Sequence, residues 1–326
     1  MNKLVIFGPW VGEFSYEAKW WVPDCREARN TKFKDYTAIA VGFNGRKALY
    51  KDFIDEYVPF PDDLESTLKY PSSFGQKISG GDRTPDNIIS FTNMIRDHYS
   101  DEFDDVIIYS PNIDTWHDTK TFSDNPPGEY INYDVDEKIN KDINNHISNY
   151  FKDDRDVVTI MPKLRYRGGI PDGENWNPEN WINLTEKLIT DLDLNIVILQ
   201  FSVDASNGGS VSFDNSSLYK KYKDRILIID TAGEDSVEKQ LCILKNTKCS
   251  IYGSTGAFIL SFLVNTPIFC QQCLESDGRL TFEWMRRLTN NHKNVKFFMK
   301  YRMFEIFNSP VQEFFDEFDK FYKKLK

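Results

Sequence analysis

Residues 251–262 read IYGSTGAFILSF. A short apolar strand, Cys249–Tyr252, runs into Gly253, Ser254, Thr255 and Gly256, and an apolar helix is expected from Thr255 to Val264. A strand–turn–helix of this kind leaves free backbone N–H groups and the positive end of a helix at the carboxyl edge of a sheet, which suits a phosphate. Gly256 lets a ligand approach the backbone, and Ser254 and Thr255 add hydroxyl donors. A plain capped turn asks for the same residues without any ligand. The phosphate reading is taken because open parallel sheets bind ligands at their strand ends. It is not a Walker loop, since no Lys follows the second glycine.

Working outward, the second half alternates strands with helices, which implies parallel strands joined by crossover helices. Strands are expected at Val157–Met161, Asn195–Phe201, Arg225–Asp230 and Pro267–Gln271. Asn177-Pro178-Glu179 opens a helix to about Asp191: Asn caps, Pro suits the first turn, and Glu favours the dipole. Further helices are expected at Asp235–Lys245 and near Leu280–Asn290. The loop PKLRYRGG, residues 162–169, sets Lys163, Arg165 and Arg167 at the end of a strand. Its cations suit the same anion as the Ser254–Gly256 turn, and a diphosphate would use both. A solvated basic loop is the plain alternative. In IIDTAGED, residues 228–235, Asp230 and Glu234 are candidates for ribose hydroxyls, and Asp235 for a helix cap.

The first half opens on VIFGPWVGEFSYE, residues 5–17. An apolar strand, Lys3–Phe7, stops at Gly8-Pro9, and a helix is expected over Ser15–Asn30. Glu13, beside Gly12 just past the strand, is either a loop carboxylate serving the helix dipole or a base at the mouth of a parallel sheet. Glu17 lies one helical turn on and is the reserve, with Trp10 and Gly12 on the same strand end. Strands follow at Tyr36–Phe43, Glu56–Phe60 and Asp105–Ser110, with helices at Gly45–Phe53, Asp86–Tyr99 and Asp136–Phe151. Residues 61–85 and 111–135 read as irregular. The last stretch, Pro310–Lys326, is a Phe-rich helix expected to pack back on the N-terminal domain.

The 326 residues, at roughly 150 per domain, favour two domains. The divisions expected are 1–152, 153–308 and a C-terminal helix 309–326. No apolar run nears the roughly 20 residues of a membrane span, and no signal peptide is visible. Five scattered cysteines fit a reducing cytoplasm rather than a disulfide framework. Cys270 and Cys273 have CxxC spacing but no partner pair, so two incidental thiols are expected. The four histidines, His98, His117, His146 and His292, are dispersed. Asp114 and Asp118 are the nearest thing to a metal run, and no metal site is expected. A net charge of −10 disfavours non-specific nucleic-acid binding.

Three stretches together resemble the bacterial heptosyltransferase family of GT-B glycosyltransferases. VIFGPWVGEFSYEAKWWVPDCR is similar to that family's opening strand and Gly-Asp turn. VVTIMPKLRYRGG with NWNPENWINLTEKLI is similar to its donor-domain start, and SIYGSTGAFILSFLVNTPIFC to its phosphate turn. Ser254 stands where the family has Asp, Ile259 where it has His, and Glu13 where it has Asp. The resemblance implies two Rossmann-like domains facing each other across a cleft, the first binding acceptor and the second a nucleotide-sugar. It implies inverting, metal-independent transfer of a sugar to a hydroxyl of a glycan or lipopolysaccharide, with no cofactor beyond the sugar nucleotide. Glu13 aligns with the family's catalytic base, while Lys163, Arg165, Arg167, Ser254, Thr255 and Gly256 would hold the donor phosphates. Three rivals stay open: transfer to a hydroxylated DNA base, a nucleotide-sugar epimerase, and a non-catalytic nucleotide-sugar-binding protein.

Overall fold

A computed structural model describes residues 2–11, 14, 17–66, 86–111, 132–167, 170–171, 175–200, 208–231, 233–273, 294–300 and 302–326. The chain forms two compact units, Met1–Ile131 with Gly233–Val237, and Asn132–Ala232 with Glu238–Lys326.

In the first unit, β1 (Lys3–Phe7) leads through a π-helical turn at Glu17–Trp21 into α1 (Val22–Asn30). Strands β2 (Thr37–Gly42) and β3 (Glu56–Pro59), helix α2 (Asp86–Tyr99) and strand β4 (Asp105–Tyr109) follow. The strands pair in parallel in the order β3-β2-β1-β4. β1 and β2 are buried at nearly every position, as strands covered on both faces must be. On one face Leu4, Ile6, Ile39 and Val41 pack with Ile88 and Ile95 of α2. On the other, Phe7 meets Phe33, Phe53 and Tyr109 edge-on at 5.7–6.0 Å. The helix expected over Gly45–Phe53 shrinks to a 3-10 turn at Lys47–Leu49.

The second unit begins with α3 (Glu137–Phe151), β5 (Val157–Met161), β6 (Lys163–Arg167), β7 (Ile170–Pro171), α4 (Pro178–Leu192) and β8 (Asn195–Gln200). It continues with β9 (Gly208–Ser210), β10 (Ile226–Asp230), α5 (Ser236–Lys245), β11 (Cys249–Tyr252) and α6 (Ile259–Leu263). β12 (Ile268–Cys273), β13 (Val295–Lys300) and α7 (Val311–Lys323) complete it. Asn177 caps α4 as expected, its side chain accepting from Glu179 N. The main sheet is parallel in the order β10-β8-β5-β11-β12-β13. With the ribbon strands β6, β7 and β9 set aside, that is the doubly wound order 3-2-1-4-5-6, whose switch point falls between β5 and β11.

Two expectations change here. KLRYR, read as loop, is a strand: β6 pairs antiparallel with β9 and β7 in a small ribbon. Its period-2 pattern carried charges, which masked the strand signal. The C-terminal helix, expected to pack back on the N-terminal domain, lays its aromatic stripe on the sheet of the second unit. Phe314, Phe318 and Phe321 lie at i, i+4 and i+7, and all three rings sit 5.0–5.6 Å from that of Phe269 on β12. Phe314 also stacks on Trp176 at 4.6 Å. Burying each such ring stabilises by roughly 1.5–3 kcal/mol. The sequence shows the stripe but not which sheet supplies its complement. β13, the edge strand beside β12, was not expected at all, and the helix expected near Leu280–Asn290 lies outside the described residues.

Candidate functional site

The switch point of the second sheet gathers three features. Pro162 leaves β5, and β6 starts at once with Lys163, whose Nζ donates to Ser254 O over a long 3.5 Å. The ribbon is tied down there by Val211 N donating to Pro162 O at 2.8 Å. Opposite, β11 ends in Gly253 and the buried Ser254 and Thr255. Thr255 Oγ1 accepts from Ala257 N at 3.2 Å and so caps the 3-10 turn Gly256–Phe258 that leads into α6. Gly253 fits closely there: a Cβ would lie 3.1 Å from the Trp181 ring, which would have to give by a few tenths of an ångström. The structure therefore brings Lys163 together with Ser254, Thr255 and Gly256.

Arg165 and Arg167 follow Lys163 at two-residue steps in β6. Their side chains are not among those described. Asp230 ends β10 and is exposed, in register with Gln200. Glu234 is exposed in a turn grouped with the first unit, where Val237 N donates to Gly45 O at 3.1 Å. Asp230 and Glu234 thus fall in different units.

In the first unit, Gly12 and Glu13 lie outside the described residues. Trp10 is buried and stacks on Trp21 at 6.0 Å, and Trp21 stacks on Tyr109 at 5.8 Å. Glu17 is wholly buried. Its Oε1 accepts from Tyr50 Oη at 2.6 Å, and its Oε2 pairs with the Arg46 guanidinium. Burial pushes the Glu17 carboxyl above its ordinary value, against the opposing pull of Arg46 and Tyr50. The same burial, with Glu17 beside it, drives the Tyr50 hydroxyl well up. Arg46 also lies 4.1 Å over the Phe43 ring. A carboxylate so enclosed holds Arg46 in place. The sequence signal for this was Arg46 and Tyr50 four residues apart, which reads only once Glu17 is known to face them.

Cys25, Cys242, Cys249 and Cys270 are buried free thiols. Cys270 Sγ lies 3.4 Å from Gly253 O. Among the described residues no group of three His, Cys, Asp or Glu could hold a metal, and no helix is long and apolar enough to cross a membrane. His117 and His292, with Asp114 and Asp118, lie outside the described residues. Sequence reasoning passed over Gln271 on β12, whose fully buried amide has no hydrogen-bond partner at either end. Its only sequence signal was a pair of glutamines, Gln271 and Gln272, in a strand that reads IFCQQC.

No family model and no curated protein sequence matches the chain. Solved structures do. The chain is similar to E. coli ADP-heptose lipopolysaccharide heptosyltransferase II at 12% identity and TM-score 0.54, over 99% of each chain. It is similar to a family 9 glycosyl transferase from Veillonella parvula at 8% identity and TM-score 0.55, over 99% of this chain and 97% of that one. E. coli heptosyltransferase WaaC, solved with ADP, matches at 10% identity and TM-score 0.51 over the full length of both. The fold is accordingly the GT-B fold of these glycosyltransferases, as the resemblance implied.

Proposed function

We propose that this chain is a glycosyltransferase that moves a sugar from a nucleoside-diphosphate donor to a hydroxyl of a glycan or lipopolysaccharide. The reaction inverts the anomeric centre, uses no metal, and runs in the cytoplasm, where buried free thiols are stable. The observation that carries this reading is the switch point of the second sheet, where Lys163 meets the Thr255-capped turn. The GT-B likeness supports it.

In the proposed step the acceptor oxygen attacks the anomeric carbon. The bond from that carbon to the diphosphate oxygen breaks, and its electron pair leaves with the nucleoside diphosphate. Lys163, Arg165, Arg167 and the turn at Ser254, Thr255 and Gly256 stabilise the charge gathering on the leaving group. Asp230 accepts from the ribose hydroxyls, with Glu234 as the other candidate. Glu13 takes the acceptor's proton. Glu17, with both oxygens engaged, is the weaker choice for that role. Trp10 and Gly12 belong to the acceptor side.

A thermal-shift screen with ADP, UDP, GDP and CMP and their sugar conjugates tests the donor site, since a ligand of the native state raises Tm by mass action. One nucleoside-diphosphate series should raise Tm, and Lys163→Ala should abolish the rise. No shift with any of them at millimolar concentration would remove the donor assignment. Glu13→Gln should keep donor binding and lower turnover about 10²–10⁴-fold. A wild-type chain that binds donor but transfers nothing to any glycan acceptor would be a binding protein instead.

A further inference from the structure

β12 carries the least explained polar group of the second unit. Phe269 packs on Phe314, Phe318 and Phe321 of α7, so odd-numbered positions of β12 face that helix. Gln271 shares that side, about 7 Å nearer the carboxyl edge by the strand rise. Its partner in register on β13 is Phe298, whose ring lies 5.5 Å from Phe314. Gln271 is 0% exposed, and neither its amide oxygen nor its nitrogen has a hydrogen-bond partner. Buried amides are almost always paired, and an unpaired one lowers stability. A hydrocarbon side chain would fit these aromatic surroundings better. The Nε1 of Trp181, whose ring lies against Gly253, is likewise buried without a partner.

The strand order says what such an amide would meet. Tyr252 of β11 pairs with Cys270 of β12, which sets Gln271 level with Gly253, one strand and about 5 Å away, just before the Ser254–Gly256 turn. Level with the ends of β10 at Asp230 and of β5 before Lys163, and with the start of the turn, β12 carries Gln271, two residues before its own end at Cys273. If ribose sits at Asp230 and diphosphate at the turn, the sugar at the far end of the donor falls at β12. An amide offers donors and an acceptor together, as a sugar hydroxyl does.

We propose that Gln271 is a specificity-determining residue that hydrogen-bonds a hydroxyl of the donor's sugar, its amide left unpaired in the free protein for that purpose. This rests on the glycosyltransferase reading above. The test compares the full-length chain with Gln271→Leu, which keeps the volume and removes the polar atoms, and Gln271→Asn, which keeps a shortened amide. Each is titrated with the free nucleoside diphosphate that binds best and with its sugar conjugates. The Leu variant should melt at or above wild type and bind the free nucleoside diphosphate equally, yet lose about tenfold or more in affinity for the sugar conjugate. Asn should recover part of that loss. Equal conjugate affinity in wild type and Leu overturns the inference alone, as does a Leu variant that melts well below wild type, since the amide is then paired within the fold. Equal losses for nucleotide and conjugate overturn the sugar assignment. A wild type that binds none of the nucleotides overturns the parent reading, and this one with it.

Discussion

The switch points of the two parallel sheets are built on one plan and finished differently. Between β1 and β4 the described residues make an aromatic joint. Gly8 N donates to Tyr109 O at 3.0 Å, and Trp10, Trp21 and Tyr109 stack beside it. The nearby carboxylate, Glu17, is saturated by Arg46 and Tyr50. Between β5 and β11 the lining is polar: an ammonium, two hydroxyl residues, a capped turn, and one strand further the unpaired amide of Gln271. A buried amide left without a partner, as Gln271 is, is a candidate for holding a ligand, because its cost has to be offset by something that binds.

Substitutions can break that contrast. The largest effect is expected from Phe314→Ala, which removes the ring joining Trp176, Phe269 and Phe298 behind the second switch point. Chemical denaturation should show a loss of about 3–5 kcal/mol. A loss below about 1 kcal/mol would mean that α7 is not part of that core. Gly8→Ala comes next. Gly8 has φ +126°, and a Cβ would lie 2.5 Å from Val41 O, so β1 and β2 must separate to admit it. A cost of roughly 2–3 kcal/mol is expected in the same measurement.

Thr255→Ala is expected to cost only about 1 kcal/mol in stability, as a lost cap. It sharpens the comparison because its effect on nucleotide affinity should be the larger one. If stability falls and affinity does not, the turn is a plain cap and the two sheet ends are alike. Glu17→Gln is the smallest and concerns pH. The folded carboxyl holds its proton more tightly than the unfolded one. Its contribution is therefore complete below the unfolded value and lost as pH rises through the raised folded value. Wild type should gain stability relative to Glu17→Gln as pH falls from 7 towards 5. A difference that is flat across that range would show that Glu17 stays ionised against Arg46.

Much of the fold was legible because its signals are local. VVTIM and CSIY sit in the structure at the bounds read for them, and Asn177-Pro178-Glu179 caps α4 as its chemistry requires. The Gly253–Gly256 turn was legible too, and so was the match of its neighbourhood to the basic segment at Lys163. β6 was misread because its alternate residues are charged and its partner, β9, is more than forty residues away. β13 was missed because VKFFMK follows a stretch read as helix, and an edge strand needs its neighbour before it shows.

By itself, then, the sequence determined where backbone periods change, which residues cap, and that a glycine- and hydroxyl-rich turn follows a buried strand, since each depends on contacts within a few residues. Tertiary structure alone decided that α7 covers the second sheet, that Glu17 is spent on Arg46 and Tyr50, and that Gln271 is left without a partner. Those outcomes depend on which distant surface meets which, and a stripe of Phe or a lone carboxylate carries no address for its complement.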